Sequence, residues 1–304
     1  MKELIAGAEF GPLDGHHYRH AWEGAYLSAC LLSDLGKRRH NNEDSCILCV
    51  PEDTALRDSR GMLFAVADGM GGATAGEYAS RMALNVLVHR YYENTEGSIP
   101  RTLRAALEQA NLEVFEEAEV NPVLSGMGTT VSAMVILGNW AYAAQVGDSR
   151  VYQYRPGTGL LQVTRDHSLV AEQVRNGLIS EEEAESHSLK NLITRAVGIK
   201  TTVDVDLFSV PLAEGDTLLL CSDGLSNMVS DAAIEEILAG SDLQRVTESL
   251  VHDALDGGGT DNITAVTVRV TAPPKAVEHQ EGAEVVSMPE QGFWWKLKHA
   301  FGLA

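Results

Sequence analysis

The sequence predicts an α+β protein folded as a four-layer αββα sandwich, in which two antiparallel sheets pack face to face and helix pairs cover their outer surfaces. Nearly every predicted strand is apolar on both faces, as expected for strands that are covered on both sides. Two long predicted helices follow one another between blocks of strands. With 304 residues, of which 44% are apolar, the chain is long enough to bury a large core.

The first half of the chain predicts three strands and then a helix pair. We assign strands to Tyr26–Leu32, Cys46–Val50 and Met62–Ala67, and helices to Thr74–Glu93 and from Ser98 onward. Apolar residues recur at helical spacing through the first helix, at Tyr78, Met82 and Val86. Pro100 falls in the first turn of the second helix, where its missing N–H is tolerated. A long loop is expected at 51–61.

The second half predicts further strands, interrupted by a polar helical segment. We assign the strands to Thr129–Leu137, Trp140–Val146, Arg150–Tyr154, Asp204–Val210, Asp216–Cys221 and Ile263–Val270. The stretch 165–190 is polar and poor in β-branched residues, and it predicts two helices at Ser168–Asn176 and Ser180–Ser186. A capping box that begins at Ser241 predicts a last helix ending near Leu255.

Both ends of the chain differ in character from this central domain, which we assign to residues 26–270. Residues 1–25 are predicted to be a loose N-terminal extension. Residues 271–292 are rich in proline and glutamate and predict a disordered linker. If residues 293–304 form a helix, Phe293, Trp294, Leu297 and Phe301 share one face, and this pattern predicts an amphipathic peptide. This peptide either packs on the domain or docks on a membrane surface or a partner protein.

Composition excludes some classes of partner. The net charge of −20 argues against nucleic acid, whose phosphates would be repelled. The sequence contains no run of 18 apolar residues, so no transmembrane helix is predicted. Met1–Gly15 has no signal-peptide pattern. Cys46 and Cys49 form a C-x-x-C, but positions i and i+3 of a strand face opposite sides, so a structural role is expected. Reduced buried thiols are typical of a cytoplasmic protein, and we expect a monomer there.

Four acidic residues lie at the ends of predicted apolar strands. In an antiparallel pair the start of one strand lies beside the end of the other, so Asp44 and Asp68 are expected to be neighbours. The same reasoning places Asp223 beside Asp261, provided that their strands pair. Carboxylates at buried strand ends are costly unless a positive charge joins them. The pattern predicts a site for two hard divalent cations about 3.5–4 Å apart, whereas the alternative is that each aspartate only makes a turn.

Eight sequence blocks in unbroken order carry a resemblance to a known family. They are Gly36–Asp44, Ala67–Gly72, Gly126–Thr130, Val146–Arg150, Thr164–Val170, Asn191–Gly198, Cys221–Gly224 and Gly259–Thr264. Together they resemble the metal-dependent Ser/Thr protein phosphatases of type 2C (the PPM family) in their bacterial form. The resemblance covers residues 26–270.

The resemblance implies a centre of two Mn²⁺ or Mg²⁺ ions. Asp68 would bridge both ions and position a bridging hydroxide, with the Gly69 carbonyl oxygen as a further ligand. Asp223 and Asp261 would bind the first ion directly. Asp148 matches the position that, together with Asp223, binds a third and weaker ion in bacterial members.

Four more residues receive roles from the resemblance. Glu43 would act on the second ion through water, and Asp44 would lie in the same coordination sphere. Asn262 would orient its neighbouring carboxylate. Arg39 matches the arginine that binds the substrate phosphate, for which its bidentate fork suits the oxygens better than a lysine. The alternative for Arg39 is that it belongs to a basic surface run.

The implied activity is hydrolysis of phosphoserine and phosphothreonine on proteins, a Ser/Thr kinase among them, by in-line attack without a covalent intermediate. The alternative is a catalytically silent phosphoprotein-binding scaffold of the same fold. Met70 and Ala73 stand where other members carry histidines, so the proton donor is either a metal-bound water or His40. The segment 165–190 corresponds to the family's flap beside the active site.

Overall fold

The chain folds into the four layers that the sequence predicts, in the order helices, sheet, sheet, helices. The computed structural model describes residues 5–13, 16–185 and 187–288. The predicted peptide at 293–304 lies outside the described residues. Apart from one short parallel pair, all strand pairs in the described ranges are antiparallel.

The strands of the described ranges are, in chain order, β1 (Ala8–Gly11), β2 (Tyr18–Glu23), β3 (Leu27–Asp34), β4 (Asp44–Cys49), β5 (Met62–Met70), β6 (Gly128–Thr129), β7 (Val131–Leu137), β8 (Trp140–Val146), β9 (Arg150–Arg155), β10 (Gly159–Gln162), β11 (Asp206–Pro211), β12 (Thr217–Cys221), β13 (Ile263–Val270) and β14 (Glu284–Val285). The first sheet has the order β1-β4-β5-β7-β8-β11-β14, with β6 paired to β5. The second has the order β10-β9-β12-β13-β3-β2.

The helices are, in chain order, α1 (Thr54–Arg60), α2 (Ala73–Glu93), α3 (Ile99–Val120), α4 (Leu169–Arg175), α5 (Glu181–Glu185), α6 (Asp223–Ser226), α7 (Asp231–Leu238) and α8 (Leu243–Asp256). A 3-10 turn follows α3 at Pro122–Leu124. The predicted capping box is displaced by one residue, because the Asp242 carboxylate, and not Ser241, accepts the N–H groups of Gln244 and Arg245.

Three apolar layers hold the sandwich together. Between the sheets, Phe64, Met134, Leu218 and Val266 belong to one buried cluster. A second cluster joins α2 and α3 to the outer face of the first sheet, and a third joins α7 and α8 to the outer face of the second sheet. Because every central strand is covered on both sides, the strands are apolar along their whole length, which is the pattern that the sequence displays.

The N-terminal extension belongs to the sandwich, contrary to the sequence-based expectation. β1 pairs with β4, opposite Cys46–Cys49, and β2 pairs with β3 at the edge of the second sheet. Tyr18 and Trp22 pack against the core between the sheets. Both strands are short edge strands that bury little of their surface, so the sequence carries only a weak apolar signal for them.

The predicted disordered linker is also wrong for its described part, residues 271–288. β14 adds a parallel strand to β11. The His279 ring packs against the rings of Trp140 and Tyr142, with centroid distances of 4.3 and 5.9 Å. Backbone N–H groups of Val277 and Gln280 donate to Asn139 and Tyr142. We call residues 271–288 the strap, since they bind along the open edge of the first sheet.

Two further observations concern membrane-spanning helices and the cysteines. Within the described ranges, no helix combines the length and the apolar character needed to span a bilayer. The four cysteines are free and buried. Cys46 and Cys49 lie on β4 with an odd spacing, and they fall in different apolar clusters on opposite faces of the sheet, as predicted.

Candidate metal centre

Strand pairing brings the predicted carboxylates to one edge of the sandwich. Asp44 lies directly opposite Asp68 in the β4–β5 ladder. In the β12–β13 ladder Cys221 pairs with Ala265, so the chain leaves this ladder at Asp223 on one side and arrives from Asp261 on the other. Both predicted strand pairings are therefore confirmed.

The electrostatics of Asp68 show how closely the acidic groups lie. Burial raises the pKa of the Asp68 carboxyl well above its usual range, and the negative charges of four other carboxylates raise it further. These four are Asp44, Asp223, Asp261 and Asp148. Five acidic side chains thus share one small region, where they repel each other unless cations or protons compensate them.

Asp44 is the most deeply buried member of the cluster. Its Oδ2 accepts hydrogen bonds from the hydroxyls of Ser222 and Thr264, each at 2.7 Å. Burial nevertheless raises the pKa of Asp44 to about 7, with a further contribution from Asp223. Its Oδ1 is buried and has no hydrogen-bond partner in the described part of the chain. A buried oxygen without a partner is costly in a protein interior, so a ligand is expected there.

Asp223 has the same feature at the first residue of α6. Its Oδ2 accepts from Asn227 Nδ2 at 3.0 Å, whereas its Oδ1 is buried without a partner among the described residues. Burial raises the pKa of Asp223, and the charge of Asp261 adds to this. The charge of Asp223 in turn raises the pKa of the Asp68 carboxyl. Neighbouring buried carboxylates of this kind need a shared proton or a shared cation.

Glu43 completes the acidic edge on the side of α2. A Cβ added at Gly76 would lie only 1.9 Å from Glu43 Oε2, so the carboxylate packs directly on the helix backbone. Gly69 is equally restricted, since a Cβ there would lie 2.1 Å from the Gly76 carbonyl oxygen. Burial raises the pKa of Glu43, while the charge of Arg39 opposes this shift. The glycines are therefore required by close packing of β5 against α2.

Arg39 is the cation that faces this cluster. Its guanidinium donates to Asp261 Oδ2 at 2.8 Å and lies 3.9 Å from Glu43 Oε1. Among the residues that the structure describes, no group of three or more Asp, Glu, His or Cys side chains is arranged to hold a metal ion as it stands. The contacts of Arg39 explain part of this, because they occupy carboxylate oxygens of Asp261 and Glu43 that a metal ion would need.

Asn262, which directly precedes β13, is hydrogen-bonded to the loop that carries Arg39. Its Oδ1 accepts the N–H of Glu43 at 2.9 Å, and its Nδ2 donates to the carbonyls of Leu35 and Asn41. Its own N–H donates to Asp261 Oδ1 at 2.8 Å. Asn262 therefore sets the relative positions of Glu43 and Asp261.

Asp148 reaches the cluster from the turn between β8 and β9. Burial and the charge of Asp223 raise its pKa to about 8.

Sequence reasoning did not find the hydroxyls of Ser222 and Thr264, although both stand inside the quoted motif blocks. His40, one of two predicted proton donors, is exposed on the loop that carries Arg39.

Comparisons with known proteins show which family the chain resembles. The profile of the protein phosphatase 2C family matches residues 37–256. The serine/threonine phosphatase stp of Listeria monocytogenes is 41% identical over 247 residues, which cover 80% of this chain and 95% of the relative. Protein phosphatase PhpP of Streptococcus pneumoniae is 39% identical over 246 residues, covering 80% and 97%.

Solved structures give the same result. The serine/threonine phosphatase PstP/Ppp of Mycobacterium tuberculosis superposes with a TM-score of 0.72 at 38% identity, covering 82% of this chain and all of that chain. A catalytic domain of a phosphatase named PstP, solved in complex with two manganese ions, has a TM-score of 0.70 at 38% identity and covers 81% and 99%.

The chain belongs to the protein phosphatase 2C family. It is a protein serine/threonine phosphatase of the bacterial form, as the sequence blocks predicted.

Proposed function

We propose that this phosphatase hydrolyses phosphoserine and phosphothreonine on proteins with two divalent cations, Mn²⁺ or Mg²⁺, held by the acidic edge. The observation that carries the proposal is the cluster of five mutually repelling carboxylates with buried, unpartnered oxygens on Asp44 and Asp223. The relative with two manganese ions supports it. Oxygen ligands of this kind suit Mg²⁺ and Mn²⁺, whereas zinc prefers nitrogen and sulfur.

We assign the binding groups by position in the cluster. Asp68 would contact both ions because it is the residue that all the other carboxylates of the cluster approach. The proposed ligand set is Asp68, Gly69 through its carbonyl, Asp223 and Asp261 for one ion, Glu43 and Asp44 for the other, and Asp148 with Asp223 for a third and weaker ion. Asn262 would keep the two sides of this set in register through its bonds to Glu43 and Asp261.

When bound, a pair of cations lowers the pKa of a shared water and offsets the charge that develops on the phosphate. Arg39 would bind two phosphate oxygens; its guanidinium at the exposed rim of the cluster supports this role. Binding of substrate would exchange its present contacts with Asp261 and Glu43 for contacts with phosphate. The side chain is 46% exposed, so this exchange needs no rearrangement of the core.

A cysteine-dependent mechanism does not fit the chain. All four cysteines are buried and free. Burial raises the pKa of the Cys49 and Cys221 thiols to about 12, so neither supplies a thiolate near neutral pH. Direct attack by water, without a phosphorylated enzyme intermediate, is the consistent alternative.

The proposed substrates are phosphorylated proteins, including a Ser/Thr kinase. Free, buried thiols agree with a cytoplasmic location and carry that part of the proposal. The peptide at 293–304 remains a proposed docking segment for a membrane surface or a partner.

The test uses the full chain and a phosphothreonine peptide. We expect phosphate release with Mn²⁺, loss of release with EDTA, and recovery on addition of excess Mn²⁺. Pretreatment with iodoacetamide should not change the rate. If folded, Mn²⁺-loaded protein bound the peptide without releasing phosphate, the scaffold alternative would replace this proposal.

A further inference from the structure

The turn that carries Asp148 is attached to a histidine twenty residues further along the chain. The N–H of Gly147 donates to His167 Nδ1 at 3.1 Å, and the N–H of His167 donates to the Gly147 carbonyl at 2.9 Å. His167 is 1% exposed, so water does not compete for these bonds. Two bonds between the same two residues fix the distance and the orientation of the turn.

Gly147 itself contributes no side chain to this turn. Its φ of +104° lies in the region that favours glycine, and a Cβ would lie 2.5 Å from Thr130 Cβ. A glycine turn has many accessible conformations in isolation. Its native conformation therefore depends on the groups that bind it from outside.

The His167 ring is oriented from its far side. Because Nδ1 accepts a hydrogen bond, the ring proton resides on Nε2, which donates to Asp206 Oδ2 at 3.1 Å. Arg195 donates to the other carboxylate oxygen of Asp206 at 2.9 Å. The hydrogen bond from His167, aided by Arg195, lowers the pKa of Asp206 to about 2. The carboxylate thus stays charged and holds the ring in one tautomer.

The opposite side of the turn is bound to Asp68. Ser149 Oγ bonds to Thr130 Oγ1 at 2.7 Å, and the N–H of Thr130 donates to the Asp68 carbonyl at 2.8 Å. The N–H of Asp68 donates back to Thr130 Oγ1 at 3.0 Å. Asp148 therefore lies in a turn that is hydrogen-bonded to Thr130 on one side and to His167 on the other.

We propose that His167 is a positioning residue for the phosphatase reaction, which acts by accepting the Gly147 N–H and so directing Asp148 toward Asp223. His167 precedes α4 and accepts the Thr194 N–H at its carbonyl, so the same residue couples the segment at 165–200 to the acidic edge. This inference rests on the proposed role of Asp148 as a metal ligand.

Two substitutions separate the two ring nitrogens. In His167→Asn the amide oxygen takes the place of Nδ1 and can accept from Gly147, but the side chain is too short to reach Asp206. In His167→Gln the amide takes the place of Nε2 and reaches Asp206, but no acceptor remains for Gly147. A role in general packing predicts that the two variants behave alike.

The first readout is hydrogen–deuterium exchange at residues 147–149 in metal-free protein, which does not depend on catalysis. We expect exchange at least about tenfold faster in His167→Gln, because a buried N–H loses its partner, and near wild-type exchange in His167→Asn. The second readout is the Mn²⁺ concentration for half-maximal rate. It should rise about tenfold in His167→Gln and stay within about threefold in His167→Asn.

Equal exchange rates or equal Mn²⁺ requirements in the two variants would overturn the inference. If His167→Gln fails to fold, Asp206→Ala lets the ring proton move to Nδ1, which removes the acceptor of the Gly147 N–H, and it should also accelerate exchange at residues 147–149. The amide oxygen of His167→Asn cannot cease to be an acceptor in this way. Unchanged exchange in Asp206→Ala would contradict the inference equally. Absence of Mn²⁺-stimulated turnover in the wild-type protein would instead refute the proposed function. The exchange rates are measured without metal and substrate, so they test the inference about His167 separately.

Discussion

Single residues determine this site through the balance between burial and charge. Asp44 and Asp223 each use one oxygen for hydrogen bonds and leave the other buried without a partner in the described ranges. Such oxygens are costly unless a cation binds them. The sequence predicted these carboxylates because each stands at the end of an apolar strand. It could not predict the hydroxyls that support Asp44, since Ser222 and Thr264 meet only after β4, β12 and β13 assemble.

Replacing a central carboxylate should abolish turnover. We expect Asp68→Asn and Asp223→Asn each to lower kcat about a thousandfold or more, because metal-ion catalysis supplies several kcal/mol to the transition state. The assay is phosphate release from a phosphothreonine peptide at saturating Mn²⁺. Asp253→Asn, on the exposed face of α8, is the matched control and should stay within about twofold of wild type. Comparable losses in all three variants would argue against a specific role.

Arg39 should act on substrate binding more than on turnover. We expect Arg39→Ala to raise KM for the phosphopeptide about 10- to 100-fold, because hydrogen bonds to charged groups contribute about 1.5–3 kcal/mol. Arg39→Lys should recover only part of this, since an ammonium cannot form the bidentate fork. Arg38→Ala is the control, since Arg38 belongs to the same basic run and is exposed. An equal effect of Arg38→Ala would favour the surface-charge alternative.

At the scale of elements, periodicity predicted what lies in the interior and failed at the edges. α2, α3 and the central strands were predicted to within a few residues, because burial imposes their apolar pattern. α1 occupies a stretch that was predicted to be a loop; it is polar and is set by the Asp53 cap rather than by an apolar stripe. β1, β2 and β14 are short edge strands. The partners of β1 and β14 are distant in sequence, so no local pattern reveals these pairings. β2 pairs with the next strand, β3, but it is only half-buried and its apolar signal is weak.

The strap should stabilise the domain, whereas the residues beyond it should not. We expect truncation after Met288 to leave the unfolding temperature unchanged within about 2 °C. Truncation after Val270 should lower it by about 5–10 °C, because it removes the β14 pairing, the partly buried hydrogen bonds to Asn139 and Tyr142, and the His279 ring contacts. Each kcal/mol corresponds to about 2–4 °C in a domain of this size. Thermal unfolding followed by circular dichroism measures both. Equal unfolding temperatures would show that the strap contributes nothing.

At the scale of the whole molecule, the acidic edge links stability to pH and to metal. The folded-state pKa of Asp44 is raised to about 7 and that of Asp148 to about 8, from ordinary values of 3.8. The unfolded chain therefore releases these protons at lower pH than the folded protein does. Metal-free protein should lose stability as the pH rises from about 4 to about 8, because the slope of ΔG with pH is negative wherever the folded state binds more protons.

This linkage is testable by urea unfolding between pH 5 and 8. We expect the free energy of unfolding in EDTA to fall by roughly a few kcal/mol across this range, since one pKa unit corresponds to about 1.4 kcal/mol. Mn²⁺ should abolish most of the fall, because cations replace the protons. Asp148→Asn should make the EDTA slope shallower. A slope that is the same with and without Mn²⁺ would indicate that the cluster does not bind the metal.

The central claim is that the acidic edge binds a pair of divalent cations. Anomalous diffraction from crystals grown with Mn²⁺ tests it most directly. We expect two strong peaks about 3.5–4 Å apart, with Asp68 between them and Asp223 and Asp261 beside one of them. Peaks confined to other surfaces of the protein, or no peak within reach of the Asp68 carboxylate at saturating Mn²⁺, would contradict the account.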